Sequence, residues 1–204
     1  MDRKEEIIFA ALELASQNGL SGVSMAKIAE KLGIKKPSLY NHFKSKEEII
    51  LATYQYLRDK SKEKMSLAEI DYGELVKGKS TEEVLKQAVS NYETICGENE
   101  MLAFYKIIYS QRAVDPIAAK ILADETRLMI TATKNLFYAL QVHKKLHADD
   151  IDMASISFAM TVHAIVDYQL DCLCAGEAIP KDILQNYIRW FCDQYGGENE
   201  ENVD

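Results

Sequence analysis

Apolar positions recur at three- and four-residue spacing through most of the chain, the period of helices with one buried face. Ile7, Ile8, Ala11, Leu14 and Ala15, widened by Phe9 and Leu12, predict a first helix over roughly residues 3 to 18, with Asn18-Gly19 as a left-handed stop. Ser24 offers an N-cap to a short helix that carries Ile28, Ala29 and Leu32 and ends at Gly33. Another short helix follows from about Lys35 to His42, with Pro37 in its first turn, where a missing N–H does no harm. Ser45 and Glu48 form a capping box that opens a helix through Ile49, Ala52, Thr53, Tyr56 and Leu57. Residues 61–80 are mixed and polar and predict fraying or a loop. A second box, Ser80 to Glu83, starts a helix bearing Leu85, Ala88, Val89, Tyr92 and Cys96, which Gly97 ends.

Four more helices are predicted: Met101 to Arg112, Asp115-Pro116 to about Leu146, one capped by Asp149 that runs to Gly176, and one from Pro180 to near Tyr195. The acidic segment 196–204 is expected to be a disordered tail. The chain therefore reads as all-α, with about nine helices and no internal repeat. Composition agrees, since only three prolines and nine glycines interrupt 204 residues that are 48% hydrophobic.

Charge changes the picture once it is divided. The formal net charge is −8, from 24 Lys and Arg against 32 Asp and Glu, but residues 1–50 hold eight against seven and the remainder 16 against 25. Attraction to phosphate must come from the N-terminal segment, while the acidic body repels nucleic acid and helps point that segment toward it. A charged start at Met1 to Glu6 and the lack of any apolar run of about 18 residues predict neither a signal peptide nor a membrane span, and a cytoplasmic protein. Cys96, Cys172, Cys174 and Cys192 read as reduced, buried small hydrophobes.

The two short helices joined through Gly33, with Ile28, Ala29, Ile34, Leu39 and Phe43 facing one core, make a helix-turn-helix. The second of them crowds Lys35, Lys36, Ser38, Tyr40, Asn41 and His42 on its polar face, donors suited to phosphates and base edges. The ordered set Ser24-Met25, Ile28-Ala29, Gly33-Ile34, Pro37-Ser38-Leu39-Tyr40-Asn41-His42-Phe43 and Ser45-Lys46-Glu47-Glu48 resembles the N-terminal signature of the tetracycline-repressor-like (TetR) regulators, over roughly residues 5 to 52. Lys35 departs from it, because many members carry Ser or Thr there to cap the recognition helix. The resemblance implies a three-helix DNA-binding domain at residues 1–47 and a helical ligand-binding and dimerisation bundle at 48–195. It implies base-edge contacts from Lys36, Ser38 and Asn41, phosphate contacts from Ser24, Tyr40, His42 and Lys46 with Lys35 able to join them, and an apolar contact from Pro37. It also implies a homodimer built by the last two helices, a palindromic double-stranded operator, and release of the DNA when a small molecule binds the body, repression being the family default.

Other motifs have plainer readings. Gly73 to Ser80 formally satisfies the phosphate-binding loop of nucleotide hydrolases, yet no β-branched strand precedes it, so Ser80 reads as a helix cap. Cys172 and Cys174 point about 200° apart on one helix and cannot clasp a single ion, so no metal and no cofactor is expected. No Ser, His and acid set or carboxylate pair stands out, and no catalytic residue is assigned. Tyr92, Phe104, Tyr105, Tyr109 and Phe137 supply aromatic surface to the central helices, and His163 has Asp167 one turn on; the resemblance makes these the candidate ligand contacts. Two competing functions stay open, a helical adaptor that binds only protein and a nucleotide-binding enzyme using Gly73 to Ser80.

Overall fold

The computed structural model describes residues 2–64, 71–97, 99–180 and 182–197. Ten α-helices occur among them: α1 (Arg3–Asn18), α2 (Met25–Lys31), α3 (Lys36–Tyr40), α4 (Lys46–Lys64), α5 (Tyr72–Val76), α6 (Thr81–Gly97), α7 (Asn99–Gln111), α8 (Pro116–Val142), α9 (Ile151–Ala175) and α10 (Asp182–Tyr195). The tenth is α5, in a stretch expected to be loop. Asp71 makes it, accepting from the backbone N–H groups of Gly73 and Glu74 and so supplying the cap that the polar composition concealed. Several expected boundaries also move, among them the end of α3, which stops at Tyr40 rather than His42. Asp150, not Asp149, caps α9, through Met153 N–H; α8 stops at Val142 rather than Leu146; and α7 starts at Asn99.

The described residues fall into two compact units, one from 1–68 and 95–125 and the other from 69–94 and 126–204. In the first, α1 packs against α2, α4 and α7, and α2 against α3. Ile7, Ile28, Leu39, Ile49 and Ile108 are fully buried there, each stabilising the fold by roughly 1.5–3 kcal/mol through removal of its side chain from water. Polar contacts set the register of α1 on α4. Tyr56 packs edge-on against Phe9 with ring centroids 5.6 Å apart and its hydroxyl donates to Glu5, while the Lys60 ammonium lies over both rings and pairs with Glu100 on α7 at 3.0 Å.

In the second unit Phe137 of α8, Phe158 of α9 and Phe191 of α10 form a ring cluster with centroids 4.9 to 5.5 Å apart. Residues 196 and 197 are held, contrary to a tail loose from 196 onward. Gly196 bridges Leu146, and Gly197 N–H donates to the carbonyl of Lys145. The rest of that expected tail, residues 198–204, lies outside the described residues. The cysteine expectation also needs correction: Cys172 is buried, Cys96 and Cys192 half-buried, and Cys174 exposed at the end of α9.

Candidate nucleic-acid interface

The local sequence builds the helix-turn-helix. Ser24 Oγ accepts from Lys27 N–H at 3.2 Å and starts α2. α2 ends in a Schellman turn: Gly33 takes φ 65° and donates to Glu30, and Ile34 N–H donates to Ala29 at 2.9 Å. Only glycine adopts that conformation without strain, and the turn fixes the angle at which α3 leaves. Lys35 precedes α3 with no side-chain cap, as its departure from the signature implied; its carbonyl still receives Ser38 N–H at 2.9 Å.

Leu39 anchors α3 at 0% exposure, and Phe43 is buried just beyond it. On the opposite side Lys35, Lys36, Pro37, Ser38, Tyr40 and Asn41 are all exposed, and His42 is half-buried. Tyr40 is 50% exposed, a large aromatic left in solvent on a helix of five residues. Lys35, Lys36, Ser38 and Asn41 make no side-chain hydrogen bond among the described residues, so their donors point outward unspent. This surface presents two ammonium groups, an amide and two hydroxyls, the groups that reach phosphate oxygens and base edges in a major groove.

Lys46 opens α4 half-buried, its ammonium 3.3 Å from the carbonyl of Leu20. That contact holds the short 3-10 turn Leu20–Gly22 against the start of α4 and uses one of three donor hydrogens. Ser45 Oγ accepts from Glu48 N–H, while the Glu48 carboxylate reaches one residue further back than a standard capping box, to Lys44 N–H at 2.6 Å.

The candidate ligand contacts divide between the two units. In the second, Tyr92 Oη lies 3.1 Å from His163 Nδ1, and His163 Nε2 lies 3.8 Å from Asp167, with Phe137 wholly buried in the ring cluster. In the first, Phe104, Tyr105 and Tyr109 lie on α7. Phe104 stacks on Tyr54, centroids 6.1 Å apart, and Tyr105 meets Tyr109 edge-on.

Sequence reasoning missed the polar cluster beside them. Glu125 on α8 is 3% exposed; one carboxylate oxygen accepts from the Tyr54 hydroxyl and the other from Arg58 Nη1 at 2.7 Å. Burial alone would lower the Arg58 guanidinium, but the charge of Glu125, with Tyr105, Tyr54 and Cys96 behind it, more than reverses this and raises it. Burial first and Glu125 second push the Tyr54 and Tyr105 phenols up. The only signal available was charged Arg58 and Glu125 on otherwise apolar helix faces, and their 67-residue separation hid the pairing.

Within the segment Gly73 to Ser80, Gly73 lies in α5, while most of the stretch expected to lack a strand before it, residues 65–70, lies outside the described residues. The carbonyls of Val76 and Lys79 accept from the Lys145 ammonium, and Ser80 and Glu83 cap α6 reciprocally. A phosphate-binding loop turns N–H groups toward its ligand, whereas this turn gives carbonyls to a lysine. Among the described residues no His, Cys, Asp and Glu group is arranged to hold a metal ion, and no helix is long and apolar enough to cross a membrane.

Comparisons with known proteins agree with this geometry. Residues 7–53 match the family model described as bacterial regulatory proteins, tetR family. The chain is 35% identical over 88 residues to the HTH-type transcriptional regulator YerO of Bacillus subtilis, covering 43% of this chain and 29% of that protein. It is 45% identical over 47 residues to the class D tetracycline repressor protein of Escherichia coli, covering 23% and 22%. The chain thus spans less than a third of the length of either relative. A TetR-family transcriptional regulator from Mesorhizobium loti shares the fold, with a TM-score of 0.69 at 19% identity over 96% of this chain and all of that one.

Proposed function

Because residues 7–53 match the tetR family of bacterial regulatory proteins, we propose that the chain is a ligand-responsive repressor of that family that binds a palindromic double-stranded operator as a homodimer in the cytoplasm. The observation that carries this reading is the outward face of α3, where Lys36, Pro37, Ser38, Tyr40 and Asn41 are exposed over a wholly buried Leu39. Residues 1–47 serve as the DNA-binding domain and 48–195 as the ligand-binding and dimerisation domain. Lys36, Ser38 and Asn41 read bases, Pro37 meets a thymine methyl, and Ser24, Tyr40, His42 and Lys46, with Lys35, hold phosphates and fix the register.

Dimerisation is assigned to α9 and α10. α9 buries Ile151, Ala154, Phe158, Val162 and Ile165 on one side, yet Met153, Ile156, Met160, Ala164 and Tyr168 form an exposed line at spacings of 3, 4, 4 and 4 on another. Ile183 and Trp190, two turns apart on α10, are exposed as well. Such stripes need cover, and a two-fold partner supplies identical ones. Two recognition helices then reach successive major grooves, and a ligand favouring a different spacing releases the DNA.

The test is selection of bound fragments from a random duplex pool at two salt concentrations, with Tyr40→Phe as control. A palindromic consensus that the control binds more weakly is expected. Absence of enrichment would remove the regulator reading and leave the protein-binding adaptor in its place.

A further inference from the structure

We propose that Tyr54, Arg58, Tyr105 and Glu125 form the point at which the effector is read, and that they select an uncharged aromatic molecule carrying a hydrogen-bond acceptor such as a ring-conjugated carbonyl. This rests on the reading of the protein as ligand-responsive and goes beyond it to the chemistry of the ligand.

The first observation is an orphan. Tyr105 is 5% exposed, and its hydroxyl is the one buried side-chain polar atom among the described residues with no hydrogen-bond partner. Buried hydroxyls are almost always paired, so one left unpaired marks a position where something else binds.

The second is a surplus of donors. Both oxygens of Glu125 are taken, one by Tyr54 and one by Arg58 Nη1. Arg58 carries five N–H groups, and its bond to Glu125 spends one. The four other N–H groups of Arg58 and the Tyr105 hydroxyl outnumber the two lone pairs that Glu125 keeps after these bonds. A ligand that fits supplies acceptors.

Charge sets the third condition. The guanidinium of Arg58 and the carboxylate of Glu125 already cancel, with side chains 11% and 4% exposed. An anion or a cation would bring an uncompensated charge into a buried place, at a large desolvation cost. A neutral acceptor brings none. The neighbours give the fourth, because Tyr54 stacks on Phe104 within 26° of parallel and Tyr109 meets Tyr105 edge-on, an aromatic surrounding that favours an aromatic ligand.

Position gives the site its consequence. Tyr54 and Arg58 stand on α4, the helix that Lys46 opens at the edge of the helix-turn-helix. An acceptor that engages the unspent N–H groups of Arg58 while its pair with Glu125 stays closed acts directly on that helix.

The test uses the full chain without DNA and four two-ring probes: benzophenone, diphenylmethane, diphenylacetate and dibenzylammonium. Calorimetric titration should show benzophenone binding at least ten-fold tighter than the other three. Tyr105→Phe should lose about ten-fold in benzophenone affinity and keep or raise its melting temperature without probe, since no native bond is lost. Benzophenone binding Tyr105→Phe as tightly as the native chain, showing no advantage over diphenylmethane, ranking below either charged probe, or failing to bind would each overturn the proposal. So would a lower melting temperature for the variant. Operator selection without probe reports separately on the regulator reading, so either can fail while the other stands.

Discussion

The ammonium of Lys145 donates to the carbonyl oxygen of Lys79 at 2.6 Å and, by a second hydrogen, to that of Val76 at 2.9 Å. One side chain thereby closes the turn between α5 and α6, while the backbone carbonyl of the same lysine accepts from Thr81 Oγ1 and from Gly197 N–H. Lys145→Met keeps the aliphatic stem and removes the charge. Because hydrogen bonds to charged groups contribute about 1.5–3 kcal/mol, and this one is partly solvated, a loss of roughly 2 kcal/mol is expected. For a chain of this size that corresponds to a melting temperature lower by about 4–8 °C, read by calorimetry. Magnesium-ATP should leave the native melting temperature where it is, and a dose-dependent rise would revive the nucleotide reading of Gly73 to Ser80.

A prediction in pH comes from the start of α6. The Glu83 carboxylate accepts from the Ser80 backbone N–H at 2.7 Å and from the Ser80 hydroxyl. These two bonds, in that order, hold its carboxyl below the ordinary glutamate value. A depressed carboxyl contributes stability that is fully present above its unfolded value and fades as pH falls through its folded one. Glu83→Gln should therefore lower the melting temperature slightly at neutral pH, and the two proteins should converge below about pH 4. Parallel curves down to that pH would mean that the carboxylate stabilises nothing.

Much of this architecture could be read from periodicity and caps because those signals are local. Ser24, Gly33 and Ser80 each act within four residues and do in the structure what their spacing implies, whereas of the Ser45 and Glu48 box only the bond from Glu48 N–H to Ser45 Oγ forms as expected, the Glu48 carboxylate going to Lys44 N–H. The Asp2 and Glu5 capping box of α1 had the same local form and was overlooked. α5 escaped because five residues carry too little periodicity to rise above a polar stretch, and its cap, Asp71, is the one clue. The recognition face was legible because it is a dense ordered motif. The Arg58, Tyr54 and Glu125 cluster was not, because pairing across 67 and 71 residues is a property of packing that no window of sequence contains.

Positioning and reading contacts on the DNA should separate by their salt and sequence dependence. Lys46→Ala should weaken binding to every duplex and reduce the salt slope by about one, as expected when a single phosphate contact is lost. Part of any loss of fold stability in that variant belongs to the Leu20 carbonyl that its ammonium meets, so melting temperature must be measured alongside. Lys36→Ala should cost about 1–3 kcal/mol at one position of the consensus and relax the base preference there. Equal, sequence-independent losses for both variants would contradict the division of roles.

The dimer assignment rests on the exposed line along α9, and Met160, 43% exposed at its centre, is the place to break it. Met160→Lys alters no buried contact within the protomer, so its circular dichroism and melting behaviour at micromolar dilution should match those of a folded monomer. In a two-fold interface the substitution occurs twice. Placing an unpaired ammonium in apolar surroundings costs at least about 2 kcal/mol each time, and about 4 kcal/mol corresponds to a dissociation constant roughly a thousandfold weaker. Light scattering coupled to size exclusion should then report a monomer where the native chain is a dimer. Operator affinity should fall as well, since one recognition helix must hold a half-site alone, while each half-site keeps its base preference. A variant that stays dimeric and keeps its operator affinity would place the two-fold contact on another face and leave the stripe from Met153 to Tyr168 to a different partner.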